Sequence, residues 1–200
     1  MEVLTWADRD CRQVKLDDSP AGFRRRLANE YEEATIIYVG IDPGLFGAVA
    51  ALTDEKFLWV VDTPIVSLRK NGRVRHEYDW PHMRNLALSV SAYTPPQSMV
   101  AIEEVHTMPL QGVASQGRLM YGLGLWHGLL IARGCSVERV SPQTWKKVML
   151  KDLGDKGKEA ARWRASQLFP EAAPLLSRVK DHGRAEALLL AEWCRRTRRA

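Results

Sequence analysis

The sequence predicts an α/β fold, with a central five-stranded mixed sheet flanked by helices. Short apolar runs of strand length recur at 35–41, 46–52, 57–61 and 99–105, and a fifth strand is expected over 136–140. Segments of helical spacing lie between and after them, so the elements read β-β-β-α-β-α-β-α-α, an order that builds a sheet with helices on its faces. The chain has 200 residues and is 46% apolar, enough for one sizeable core and an appendage.

Residues 1–34 form an N-terminal extension, and the domain proper is expected over 35–200. Within the extension Ser19-Pro20 can open a helix, Ser as N-cap and Pro in the first turn. Phe23, Leu27 and Tyr31 then share a face, a short amphipathic helix that docks on the domain or on a partner. Strand one delivers Asp42 at its end, and Pro43-Gly44 turns the chain into strand two. Thr53-Asp54-Glu55-Lys56 makes the next turn, into strand three.

The stretch 67–78 sets Arg69, Lys70, Arg73 and Arg75 around Asn71-Gly72, a basic loop or hairpin tip that either touches phosphate or is simply solvated. Asp79-Trp80-Pro81 caps a helix with apolar positions Met83, Leu86, Ala87 and Val90. Strand four carries Glu103 and Glu104, whose side chains must point to opposite faces. A long helix over 117–132 contains Gly117, Gly122, Gly124 and Gly128, which permit close approach of another backbone, in the core or across a dimer. Ser141-Pro142 opens a short helix with Trp145-Lys146-Lys147. Further helices are expected from Lys158-Glu159 to before Phe169-Pro170, over 173–179, and from about Asp181 to the terminal arginines.

Net charge is +5 and the pI about 9.2. Residues 1–34 carry −2, which leaves +7 on the remainder. A basic body with a few isolated acids points to a polyanionic partner, nucleic acid before membrane, or else to a solvated basic face. Cys11, Cys135 and Cys194 are odd in number and scattered, as reduced thiols of a cytosolic protein are. His127 and several glycines interrupt the most apolar stretch, 119–132, so no membrane span is expected. The N-terminus lacks a signal-peptide core and is too acidic for a typical transit peptide. The expected compartment is cytoplasmic, in a bacterium or a phage-infected host cell.

Asp42, fixed by a buried strand beside a Gly-containing turn, suits a metal ligand or a phosphate contact, and equally a simple turn cap. Glu103 and Glu186 are the other isolated acids. Converging buried carboxylates repel unless a cation neutralises them, and hard divalent cations take oxygen ligands. Two such ions can clamp the attacking and leaving oxygens of a phosphodiester, while basic residues hold phosphates outside.

These pieces together are similar to a known family. Gly40-Ile41-Asp42-Pro43-Gly44, Ala101-Ile102-Glu103-Glu104-Val105, Val140-Ser141-Pro142 with Trp145-Lys146, Lys158 ahead of Leu168-Phe169-Pro170, and Gly183-Arg184-Ala185-Glu186-Ala187-Leu188 stand in the order seen in RuvC-type Holliday junction resolvases. The chain resembles that family, within the RNase H-like superfamily, over about residues 35–194, and its 108–134 region looks more like the phage and plastid branch.

The resemblance implies a homodimeric, structure-specific endonuclease that resolves four-way DNA junctions by paired symmetric nicks, with two Mg²⁺ or Mn²⁺ ions per active site. It assigns Asp42, Glu103 and Glu186 as metal ligands and Lys158 as the lysine on the scissile phosphate. Bacterial relatives carry another Asp where this chain has Gly183. That leaves His182 as the preferred fourth catalytic ligand, one helical turn from Glu186, and Asp181 as its alternative. Lys146, Lys147, Lys156, Arg69, Lys70 and Arg73 are the expected DNA contacts. A catalytically weak branched-DNA-binding protein on the same fold is the rival reading.

Overall fold

The computed structural model describes residues 3–4, 36–91, 98–106, 112–153 and 157–198. The expected helix over 20–31 and Cys11 lie outside the described residues. In chain order the elements are β1 (Val3–Leu4), β2 (Ile37–Ile41), β3 (Ala48–Leu52), β4 (Phe57–Asp62), β5 (Ile65–Lys70), β6 (Arg73–Tyr78), α1 (Trp80–Val90), β7 (Ser98–Glu103), α2 (Val113–Ile131), β8 (Ser136–Val140), α3 (Pro142–Met149), α4 (Gly157–Leu168) and α5 (His182–Arg198). Two 3₁₀ segments, Pro170–Leu176 and Val179–Asp181, connect α4 to α5, where the sequence predicts one short helix over 173–179.

The main sheet has the order β4-β3-β2-β7-β8. Its β2-β3 and β3-β4 pairs are antiparallel, and its β2-β7 and β7-β8 pairs are parallel. This is the mixed five-stranded sheet that the sequence predicts. β2 is central and buried along its whole length, which its continuous apolar run requires.

The basic stretch is a true hairpin. β5 and β6 pair antiparallel through a two-residue turn, Asn71-Gly72, both at positive φ, the geometry that Asn-Gly favours. Val3 and Leu4 pair with Leu68 and Ser67, so the hairpin belongs to a second, three-stranded sheet. The N-terminal extension thus joins the body through at least one strand.

Strand alternation divides the core in two. Ile37, Val39, Ile41, Val100 and Ile102 face α1 and α2, where Met83, Ala87, Leu123, Trp126 and Leu130 close the layer. Tyr38, Ala48, Ala50, Ala101 and Val140 face α5, flanked by Trp145 of α3 and Ala161 and Ala165 of α4. The caps form as their sequences predict. Asp79 accepts from His82 N at 3.3 Å, and Ser141 Oγ accepts from Thr144 N at 3.2 Å. α2 starts at Val113, four residues before its expected start.

α5 is buried nearly all round, with Leu188, Leu189 and Leu190 at 0% exposure. A helix so enclosed is held by packing rather than by a single apolar stripe. It lies directly on β2: a Cβ at Gly40 would stand 2.1 Å from the Ala187 carbonyl oxygen and 2.3 Å from Ala191 N. At its start Arg184 donates Nε and Nη2 to the two Asp62 oxygens, each at 2.6 Å, and Nη1 to the Leu175 carbonyl at 3.1 Å. This two-pronged bond fixes the first turn of α5 to the end of β4.

Gly40→Ala should therefore cost about 3 kcal/mol or more, since backbone on both sides of the contact must give way. A urea unfolding midpoint shows it. An unchanged midpoint would mean that α5 sits farther from β2 than described.

Candidate active site

Three carboxylates reach one end of the main sheet from three separate elements. Asp42 follows β2 on the same side as Tyr38 and Gly40, toward α5. Its Oδ1 accepts from Gly44 N at 2.9 Å, and its own N–H bonds Ala48 O at 3.0 Å, so the turn locks it. Glu103 ends β7, on the side of Ala101. The same alternation sends Glu104 to the opposite face, where its Oε2 lies 3.6 Å from His106 Nε2. Glu186 projects from the second turn of α5.

α3 supplies their partners. The buried Trp145 donates Nε1 to Glu103 Oε1 at 3.0 Å. Lys146 Nζ pairs with Glu186 Oε1 at 3.1 Å and lies 5.0 Å from the centre of the Trp145 ring. Lys146, expected as a phosphate contact, here gives its ammonium to Glu186 as a counter-charge within the acid cluster. Trp145 belongs to the core, and it also orients a site carboxylate. Nothing in the local sequence announces that bond, because it joins residues 42 positions apart.

The acids act on one another. Burial, and next the Glu186 charge, push Asp42 from 3.8 up to about 7, against the lowering by the Gly44 hydrogen bond. Glu103 is raised by burial and by Glu186, with Trp145 and Lys146 pulling the other way. A hard, all-oxygen donor set with one ammonium against three carboxylates fits Mg²⁺ or Mn²⁺ in charge and donor type. Among the described residues no three acids or histidines already encircle a point at ligand distance, so the carboxylates would have to close on an ion.

The two candidates for a fourth ligand sit in different surroundings. Asp181 is buried and fully engaged: Arg178 donates to it from its backbone N at 2.8 Å and from Nη2 at 2.8 Å. That bond holds its carboxyl below the usual range despite burial. Asp181 is a structural cap. His182 stands on the rim, with Nδ1 3.4 Å from the Val179 carbonyl oxygen, and makes no hydrogen bond to the three acids among the described residues.

Gly183 lies against the site itself. A Cβ there would meet Phe46 O at 2.7 Å, Gly47 Cα at 2.9 Å and Asp42 Oδ2 at 3.1 Å. A side chain at position 183 would therefore require this turn to shift.

Of the remaining expected residues, Lys147 is exposed on α3, and Arg69 and Arg73 are exposed near the hairpin tip, beside Lys70. Lys158 opens α4, and its side chain lies outside the described residues, as does Lys156. Two contacts that the sequence does not announce tie the hairpin to the site. The Tyr78 hydroxyl lies 3.2 Å from both the Pro43 and Arg118 carbonyl oxygens. A Cβ at Gly122 would stand 2.1 Å from that hydroxyl, so α2 presses on the Asp42 turn from the other side.

Two outcomes follow from the electrostatics. With chelator present, the folded protein keeps a proton on Asp42 that the unfolded chain loses above about pH 4. Stability should therefore fall as pH rises from about 4 through about 7. Asp42→Asn should flatten that fall, as read from urea midpoints across the range; an equal slope in the variant would mean that Asp42 is ordinarily solvated. Asp181→Ala should lose about 2 kcal/mol of stability through the broken Arg178 bonds, and leave divalent-cation binding intact. Loss of cation binding without loss of stability would return Asp181 to the ligand set.

No family model matches the chain. It is 37% identical over 92 residues to "Holliday junction resolvase MOC1, chloroplastic" of Chlamydomonas reinhardtii, a match covering 46% of this chain and 10% of that protein. The chain thus spans about a tenth of the length of this curated relative. That relative is a chloroplast protein, which overturns the expectation of a bacterial or phage-infected cytoplasm. Among solved structures, T. thermophilus RuvC in complex with a Holliday junction substrate superposes with a TM-score of 0.50 at 18% identity, covering 81% of this chain and 96% of that one. The chain therefore shares the fold of that structure, the RNase H-like mixed sheet, and is similar in sequence to a plastid resolvase over 92 residues.

Proposed function

We propose that this chain is a divalent-metal-dependent endonuclease that resolves four-way DNA junctions by paired nicks, as a homodimer in a plastid. The observation that carries this reading is the convergence of Asp42, Glu103 and Glu186, from β2, β7 and α5, on one end of the sheet. The RuvC-like fold and the 92-residue match to a plastid resolvase support the choice of substrate.

In this reading Asp42, Glu103 and Glu186 hold Mg²⁺ or Mn²⁺, two ions per site, with His182 completing the ligands. Bound ions would supply an activated water and charge neutralisation for phosphodiester hydrolysis. Trp145 fixes the rotation of Glu103. Lys146 places positive charge beside Glu186, where the substrate's negative charge must enter. Lys158, at the start of α4, holds the scissile phosphate, while Lys147, Lys156, Arg69, Lys70 and Arg73 contact flanking phosphates.

The second copy would dock on α2. Opposite its buried face, Val113 is 86%, Met120 44% and Ile131 55% exposed. Gly117, Gly124 and Gly128 meet nothing within 4 Å. An apolar, small-residue helix face of this kind allows two backbones to approach closely, and a two-fold axis supplies two sites for two symmetric nicks. The rival reading, junction binding with a weak active site, draws on Gly183, which leaves one acid position bare.

A synthetic four-way junction with Mg²⁺ decides between them. The wild type should give paired nicks, and Asp42→Asn or Glu103→Gln should bind the junction without cutting it. Binding without any metal-dependent nicking by the wild type would favour the weak-site reading. Gly124→Glu should yield a monomer by light scattering and unpaired single nicks; a dimer that still nicks in pairs would remove α2 from the interface.

A further inference from the structure

Phe46 occupies an unusual place for a large apolar side chain. It sits in the short turn between β2 and β3, where Gly47 N bonds Gly44 O at 2.9 Å, and it is 58% exposed. Its carbonyl oxygen and the Asp42 carboxylate both lie about 3 Å from the space above Gly183, so the turn that carries the ring is also a wall of the acid site. The ring is not free to wander. His76, midway along the basic hairpin, meets it edge to face at 5.6 Å and 77°, and His76 Nδ1 is 2.9 Å from Ser67 Oγ. Beyond His76 the hairpin carries the exposed Arg73 and Arg69 toward its tip.

An exposed aromatic ring on a rigid turn loses little conformational entropy when it is covered, and it offers a π face to a nucleobase of any identity. We propose that Phe46, held by His76, is a stacking platform for an unpaired base next to the phosphate that is cut. At a branch point bases are most easily unstacked, so the platform would favour junctions over continuous duplex. The hairpin arginines would then guide the backbone leading away from that base. This inference rests on the junction-nuclease reading and adds a positioning residue to it.

The test uses the full chain with Asp42→Asn, which prevents cutting, and a four-way junction carrying 2-aminopurine beside the scissile position. Binding should quench the probe through stacking. Phe46→Leu, which keeps an apolar side chain over His76, should abolish the quench and weaken junction binding about tenfold, with duplex binding and melting temperature unchanged. Phe46→Trp should restore both. A probe signal that is the same in Phe46→Leu, at full junction affinity, overturns the platform and leaves the nuclease reading standing. Failure of the Asp42→Asn protein itself to bind the junction overturns both.

Discussion

The seat of α5 on β2 is the constraint on which the rest of the structure depends. At Gly40 the helix backbone passes so close that no side chain fits between, and at Gly183 the same holds against the Phe46-Gly47 turn. These contacts fix α5 along the sheet, and the Arg184–Asp62 bond fixes the start of its first turn. Glu186 then lies beside Lys146 and near enough to Asp42 for its charge to be felt there. The same contacts mean that a side chain at Gly183 would have to displace the turn that carries Asp42.

Burial raises the proton affinity of Asp42 and Glu103, and the Glu186 charge adds to it at both. Like charges gathered in this way destabilise the fold on their own, as strained functional sites do. α3 offsets part of that cost with two groups of different kind, a neutral indole N–H for Glu103 and an ammonium for Glu186. A divalent ion would offset far more, so the site is better matched to the ion than to its own empty form.

Much of this was legible in the sequence, for reasons of periodicity. Asp42 and Glu103 each end an apolar strand, so their addresses follow from the run that precedes them. Alternation alone separates Glu103 from Glu104. The Asn71-Gly72 turn marks its hairpin by the same local logic. What was not legible joins distant parts of the chain. Lys146 reads as a surface cation because its partner Glu186 is 40 positions away, and the bond from the Trp145 indole N–H to Glu103 is hidden because it spans 42 positions. The position of Gly183 against the Asp42 turn depends on how far a helix descends onto a sheet, which no local pattern encodes. Asp181 was the alternative to His182 as a ligand, and its bonds from Arg178, three residues earlier, are a local contact of the kind that a cap makes. The compartment was misread from cysteine usage and an acidic N-terminus, neither of which speaks to a plastid protein's kinship.

The most direct measurement is Mn²⁺ binding followed by calorimetry at pH 7.5 on the wild type, Glu186→Gln and Asp42→Asn. If α5 brings Glu186 to Asp42 to hold the ion, the wild type should bind Mn²⁺ and each variant should lose at least tenfold in affinity, about 1.4 kcal/mol. Equal binding by the wild type and Glu186→Gln would contradict the account, because the helix seat would then place no ligand.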